Sequence, residues 1–114
     1  MGDIPVRFFG PVREIIHGWP FNVRKELGAL LTRLQRRESI GMPDIRPMPD
    51  IHPHASEIRI RWKDGRFRVL YVIQKEFGVV LFHAFDKKSA KTPENEKRTA
   101  RIRLKVILDE LLDE

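Results

Sequence analysis

The chain contains no cysteine. That excludes a disulfide scaffold, a thiolate zinc site and a thiol nucleophile. Long apolar runs are missing too: stretches such as Val79 to Phe82 are far shorter than the ~20 residues a membrane-spanning helix needs. No basic-then-apolar leader opens the sequence, so neither secretion nor a membrane partner is expected. Tyrosine occurs once, at position 71, and Asp and Glu are the minority charge, 16 against 22 Lys and Arg. What remains is 114 residues, 41% apolar and 33% charged, with a formal charge of +6 and a pI near 10.1. This is the balance of one basic domain over residues 1–114, expected in the cytoplasm. Its charge suits polyanions, and it would equally suit an acidic protein.

Residues 5–9 read as a short strand closed by Gly10-Pro11, and Val12 to Gly18 as one or two helical turns before Trp19-Pro20. Val23, Leu27, Leu30, Leu31 and Leu34 then recur with helical period, which predicts a helix from Pro20 to Arg37. Arg24, Lys25, Arg33, Arg36 and Arg37 fall largely off that stripe. Residues 39–56 hold four of the eight prolines and the tetrapeptide Met-Pro-Asp-Ile twice, at 42–45 and 48–51. They read as a proline-stiffened loop, and a loop of that length is often functional.

The period then falls to two. Glu57 to Trp62 and Phe67 to Ile73 alternate polar and apolar residues around Asp64-Gly65, a strong hairpin signal. Glu76-Phe77-Gly78 turns the chain into a third strand, Val79 to Asp86. Thr92-Pro93 opens a last helix over 93–112, with Thr92 as its cap and Ala100, Leu104, Ile107, Leu108 and Leu111 as its buried stripe. The acidic residues at its far end, Asp109, Glu110, Asp113 and Glu114, oppose the helix dipole and predict fraying. The expected fold is α+β: helices against one face of a twisted antiparallel meander over 57–86, of three to four strands, plus the C-terminal helix.

With Asp64-Gly65 as a two-residue turn, Lys63 opposes Arg66, Trp62 opposes Phe67, Arg61 opposes Arg68 and Ile60 opposes Val69. Ile58, Ile60, Trp62, Phe67, Val69 and Tyr71 then share the core face. Arg59, Arg61 and Arg68 share the other, with Lys63 and Arg66 near the turn. Like charges placed opposite each other cost a few tenths of a kcal/mol to roughly 1. Residues 57–91 carry nine basic and four acidic residues, most of the excess positive charge. The third strand must return Lys87 and Lys88 beside these arginines, with Lys91 following. Such a surface fits a phosphate backbone. A merely solvated sheet face would show the same alternation.

No catalytic triad, carboxylate pair, glycine-rich phosphate loop or metal-ligand cluster stands out, so neither metal nor cofactor is expected. His52 and His54 flank Pro53 in the loop, without a third ligand nearby. His83 interrupts an apolar strand. With a three-residue turn at 76–78 it faces the core beside Tyr71 as a structural histidine. One residue less puts it on the arginine face, where it could move a proton.

The runs Glu57-Ile-Arg-Ile-Arg61, Phe67-Arg-Val-Leu-Tyr71, His83-Ala-Phe-Asp-Lys-Lys88, Lys91-Thr-Pro93 and Ala100-Arg-Ile-Arg103 resemble the phage-derived, HigB-like branch of the RelE/ParE toxin superfamily. The resemblance spans roughly residues 5–108 and includes the leucine-rich helix that ends Leu34-Gln35. It implies the toxin of a type II toxin–antitoxin pair. Such toxins are ribosome-dependent endoribonucleases that cut mRNA and are held inactive by an antitoxin, often a helix-turn-helix protein. It also implies that Arg68 contacts the scissile phosphate and that Lys87 and Lys88 occupy the stretch after the last strand where such toxins place another basic catalytic residue. His83 remains a contender for proton transfer. Arg59, Arg61, Lys63, Arg66 and Lys91 would bind RNA, and His54 corresponds to a loop histidine of other HigB toxins. No tyrosine follows Tyr71, although RelE-type toxins often carry one near the C-terminus. A non-catalytic nucleic-acid-binding accessory protein is the alternative reading.

Overall fold

The computed structural model describes residues 3–87 and 92–112. Lys88, Lys91, Asp113 and Glu114, all singled out above, lie outside the described residues. In chain order the elements are β1 (Val6–Phe8), α1 (Val12–His17), α2 (Phe21–Gln35), β2 (Ile45–Pro47), β3 (Ser56–Trp62), β4 (Gly65–Gln74), β5 (Gly78–Lys87) and α3 (Glu94–Leu112). The strands form one sheet in the order β1-β5-β4-β3-β2. The α+β class matches expectation. The sheet has five strands, however, and it is mixed, because β1 runs parallel to β5.

Gly78 makes that parallel pairing possible. It has φ +83, and a Cβ there would lie 2.2 Å from the Pro5 carbonyl oxygen. The same oxygen accepts a hydrogen bond from the Val79 amide at 2.9 Å. Only a residue without a side chain admits the N-terminal strand so close.

The two sheet faces carry separate cores. Val23, Leu27, Leu30, Leu31 and Leu34 of α2 pack with Ile58, Ile60, Phe67, Val69 and Tyr71, as their periodicities require. Each such side chain contributes about 1.5–3 kcal/mol when fully buried. Trp19 meets the edge of Phe67 at 5.1 Å and fixes the α1–α2 corner to the sheet. The second core lies on the opposite face, where Ala100, Leu104 and Ile107 of α3 cover Leu70, Val72, Val80, Phe82 and Phe85. The expectation of helices on one face is thus corrected. The run Leu70-Tyr71-Val72 is buried on both sides and needs a layer on each.

The segment 39–56 is more ordered than its prolines suggested. It contributes edge strand β2, with Ile45 buried in the first core and Met48, Ile51 and Ala55 in the second. The second Met-Pro-Asp-Ile copy is folded onto α3 through an Asp50–Lys97 ion pair of 2.8 Å.

Two registers differ from expectation. In the β3–β4 hairpin Trp62 pairs with Gly65, Arg61 with Arg66, Ile60 with Phe67 and Arg59 with Arg68. The turn is therefore Lys63-Asp64, with Lys63 at φ 54 and its ammonium 4.5 Å from the Trp62 ring centre. Gly65 serves packing rather than the turn, since a Cβ there would sit 2.9 Å from the Phe67 ring. The slip preserves both faces, because side chains alternate with period two. Between β4 and β5 a bulge intervenes: Tyr71 pairs with Leu81, but Leu70 pairs with His83. Phe82 is the extra residue, and both it and His83 turn toward α3. Of the two expected His83 positions, the one on the arginine face is observed, but the ring lies beneath α3.

Candidate nucleic-acid interface

At the hairpin end of the α3 face, the apolar cover gives way to cations. Arg59 stands opposite Arg68 and Arg61 opposite Arg66, while Arg66 stands opposite Lys87 of the next strand. Arg59, Arg61, Arg66 and Arg68, with Ile60, line an open cleft of about 440 Å³ at the edge of β3. Pro43 and Asp44 from the proline-rich segment and Glu26 from α2 complete it. β2 pairs only with residues 56–58 of β3, so the strand edge beyond Arg59 is open toward this cleft.

Beneath the cations lies a group that sequence reading passed over. Glu57 is fully buried on the same face, two residues before Arg59. Its Oε1 is 3.5 Å from Arg68 Nε and 3.6 Å from Arg59 Nε. Neither contact closes into a hydrogen bond, and all three buried atoms are left without one. Arg68 Nη1 donates to the Phe67 carbonyl at 3.1 Å. Glu57 Oε2 accepts from the Thr92 hydroxyl at 3.0 Å, and that hydroxyl accepts from Lys87 Nζ at 3.2 Å. Thr92 therefore serves the sheet, not the helix end; Pro93 occupies the cap position, its carbonyl receiving the Glu96 and Lys97 amides. One carboxylate thus sits among Arg59, Arg66, Arg68 and Lys87 and leaves the cluster positive.

Arg68 is 4% exposed, which corrects its placement on a solvent-facing surface. Burial lowers its pKa, with the Glu57 charge opposing, though a guanidinium stays charged. Lys87 is pushed down to about 8, first by burial, then by Arg68, with Glu57 opposing and Arg59 and Arg66 adding to the shift. An ammonium of that kind can give up its proton near neutral pH.

The other expected site residues are dispersed. Lys63 is exposed at the hairpin tip, over Trp62. His83 Nδ1 accepts from Arg103 Nη1 at 2.8 Å, which leaves Nε2 to donate to Glu96 Oε1, also at 2.8 Å. Burial pushes its pKa down, and Glu96 opposes that. Both ring nitrogens are thus engaged by α3. His54 is exposed, its amide donating to His52 Nδ1 at 3.1 Å. It does not line the arginine cleft. His52 instead borders a separate groove with Ile51, Arg101, Leu104 and Leu108.

Comparison with known proteins agrees with the architecture. The fold is shared with a double arginine-to-alanine mutant of the E. coli toxin RelE in the free state, at TM-score 0.61 and 17% identity, covering 90% of this chain and 96% of that one. No curated protein matches the sequence. The model of the family "Phage derived protein Gp49-like (DUF891)" matches residues 14–105. With α2, strands β2 to β5 and the Arg59–Arg68 cluster inside that span, the chain belongs to this phage-derived Gp49-like family, on a RelE-like fold.

Proposed function

We propose that the protein is the toxin of a type II toxin–antitoxin pair, a ribosome-dependent endoribonuclease that cuts mRNA in the cytoplasm. Its partners would be the ribosome with its mRNA and a cognate antitoxin, a helix-turn-helix protein. The observation that carries this reading is the cluster of Arg59, Arg66, Arg68 and Lys87 around one buried carboxylate, opening into an arginine-lined cleft. Arginines on rigid strands suit a phosphate that must be held while charge develops on it.

The reaction asks for little more. The ribose 2′-oxygen attacks the adjacent phosphorus, and the bond from phosphorus to the 5′-oxygen breaks. The products are a 2′,3′-cyclic phosphate and a 5′-hydroxyl. Arg59 and Arg68, whose Nε–H groups lack hydrogen-bond partners, stabilise the phosphorane. Arg61 and Arg66 hold the flanking backbone. Lys87, as the ammonium, delivers a proton to the departing 5′-oxygen, and the 2′-hydroxyl proton leaves to water at the open mouth of the cleft. Lys88 and Lys91 follow Lys87 in sequence and would extend the RNA contact. Lys63 would add one at the hairpin tip, and His54 one from the loop. His83 is assigned to holding α3.

The test is expression in a bacterial host together with cleavage of mRNA on purified ribosomes. Growth arrest and cyclic-phosphate ends are expected from the wild type. Arg61→Ala combined with Arg66→Ala, at positions outside both cores, should abolish both while leaving the fold unchanged. RNA binding without cleavage would replace this reading with that of a non-catalytic binding module.

A further inference from the structure

The Lys-Thr-Pro run at 91–93 is left unexplained by the phosphate-binding cleft, and the structure gives its threonine a chemical place. Thr92 is 4% exposed and does not line the cleft. Its hydroxyl bridges the Lys87 ammonium, at 3.2 Å, and the Glu57 carboxylate, at 3.0 Å. The polarity of this chain is fixed: an ammonium only donates and a carboxylate only accepts, so the hydroxyl accepts from Lys87 and gives its hydrogen to Glu57. We infer that Thr92 and Glu57 are positioning residues that orient Lys87 and set its readiness to release a proton. The inference rests on the acid role given to Lys87 above.

Charged groups from each neighbouring strand enter this balance. From β3 come Glu57 and Arg59, from β4 Arg66 and Arg68, and from the segment before α3 the Thr92 hydroxyl. Among the described residues, the loss of water and three guanidinium groups favour the free amine, while Glu57, joined through Thr92, favours the ammonium. Without the relay a larger share of Lys87 would meet the substrate as the free amine. With a fully solvated carboxylate partner it would hold its proton too firmly. The hydroxyl bridge keeps a charge-assisted contact while Oε1 of Glu57 stays under the two arginine Nε groups, so one carboxylate steadies the proton-donating and phosphate-binding groups together.

The experiment compares the full chain with its Thr92→Val, Thr92→Ser and Glu57→Gln variants. Acetylation of Lys87 by acetic anhydride, followed by mass spectrometry across pH, reads the ammonium's acidity without requiring any nuclease activity. In the wild type the reactivity should rise through a midpoint of about 8. Thr92→Val should move that midpoint down by about one pH unit, the shift expected from losing a hydrogen bond to a charged group. Glu57→Gln should move it the same way, and Thr92→Ser should restore it. In ribosome-bound mRNA cleavage, the alkaline limb of the rate profile should move with the acetylation midpoint. Should the valine variant fail to fold, Thr92→Ala removes the same hydroxyl and reads the same quantity. A wild-type midpoint near 10.5, the ordinary lysine value, or a folded valine variant that titrates as the wild type does, overturns the inference. A shifted midpoint in a wild type that cleaves no mRNA upholds the positioning and refutes the nuclease reading instead.

Discussion

Replacing Arg68 should cost stability as well as activity, and the two effects can be separated. Arg68 is 4% exposed and Glu57 is fully buried, their charged atoms 3.5 Å apart. Arg68→Met keeps most of the side-chain volume but strips Glu57 of its most buried counter-charge, leaving Arg59 at 3.6 Å and the Thr92 hydroxyl. Breaking a buried pair from one side costs about 3–5 kcal/mol. The second guanidinium remains, so the lower end, about 3 kcal/mol, is expected. For a domain of this size that corresponds to roughly 12 °C in Tm. Glu57→Leu should be damaging for the converse reason, as it leaves Arg59, Arg68 and Lys87 without their carboxylate. The double variant, in which the pair is gone from both sides, should recover at least about 1 kcal/mol relative to the sum of the single losses. Urea unfolding of the four proteins closes the cycle. Arg68→Met losing under about 1 kcal/mol, or a strictly additive cycle, would show that the two groups do not depend on each other. The practical corollary is that loss of toxicity in an Arg68 variant reports on the site only when the variant's unfolding midpoint has been measured.

Gly78→Ala should detach β1, because a Cβ there collides with the Pro5 carbonyl at 2.2 Å; hydrogen exchange at the Val79 amide should speed up, and unchanged protection there would refute the close approach. His83 has a pKa lowered in the folded protein, so the unfolded chain takes up its proton first, near pH 6.5. The stability held by the neutral ring is complete above that pH and declines as the pH falls toward the folded-state value. Urea unfolding at pH 7.5 and 5.5 should show the difference, and His83→Gln should reduce it; a pH dependence untouched by the substitution would assign it elsewhere. Single-stranded RNA binding should weaken with salt, and Arg61→Ala and Arg66→Ala should each lower the slope of log K against log salt by about 0.7. Equal slopes in all three proteins would remove these arginines from the RNA contact.

The elements were largely legible in the sequence because periodicity survives any error of register. The leucine stripe of α2 and the alternation of β3 and β4 assign each side chain to its face even though the hairpin turn lies at Lys63-Asp64 instead of Asp64-Gly65. The arginines came together for the same reason: the slip is by pairs, and a face is indifferent to that. What local pattern could not convey is what covers a face. Arg68 and Glu57 read as solvent-facing alternation, and only the return of α3 and Thr92 across the sheet buries them. Glu57 had a signal nonetheless, as the one acid in phase with Arg59 and Arg61. Met48 and Ile51 were hidden among prolines, whose effect on backbone freedom says nothing about which neighbouring side chains find a core.

The bulge at Phe82 decides more than the position of a histidine. Before it, the odd-numbered residues Val79 and Leu81 point to the α2 layer; after it, Phe85 and Lys87 point to the opposite one. An unbroken strand would deliver the Lys87 ammonium into the leucine core, where no counter-charge waits. An unbroken strand that kept Phe82 in the ladder would exchange the inhabitants of the two layers, whereas deleting Phe82 would not, since His83 would then follow Leu81 in regular alternation and still face Leu70. The supernumerary residue is thus what lets an amine at position 87 share a side of the sheet with Arg66.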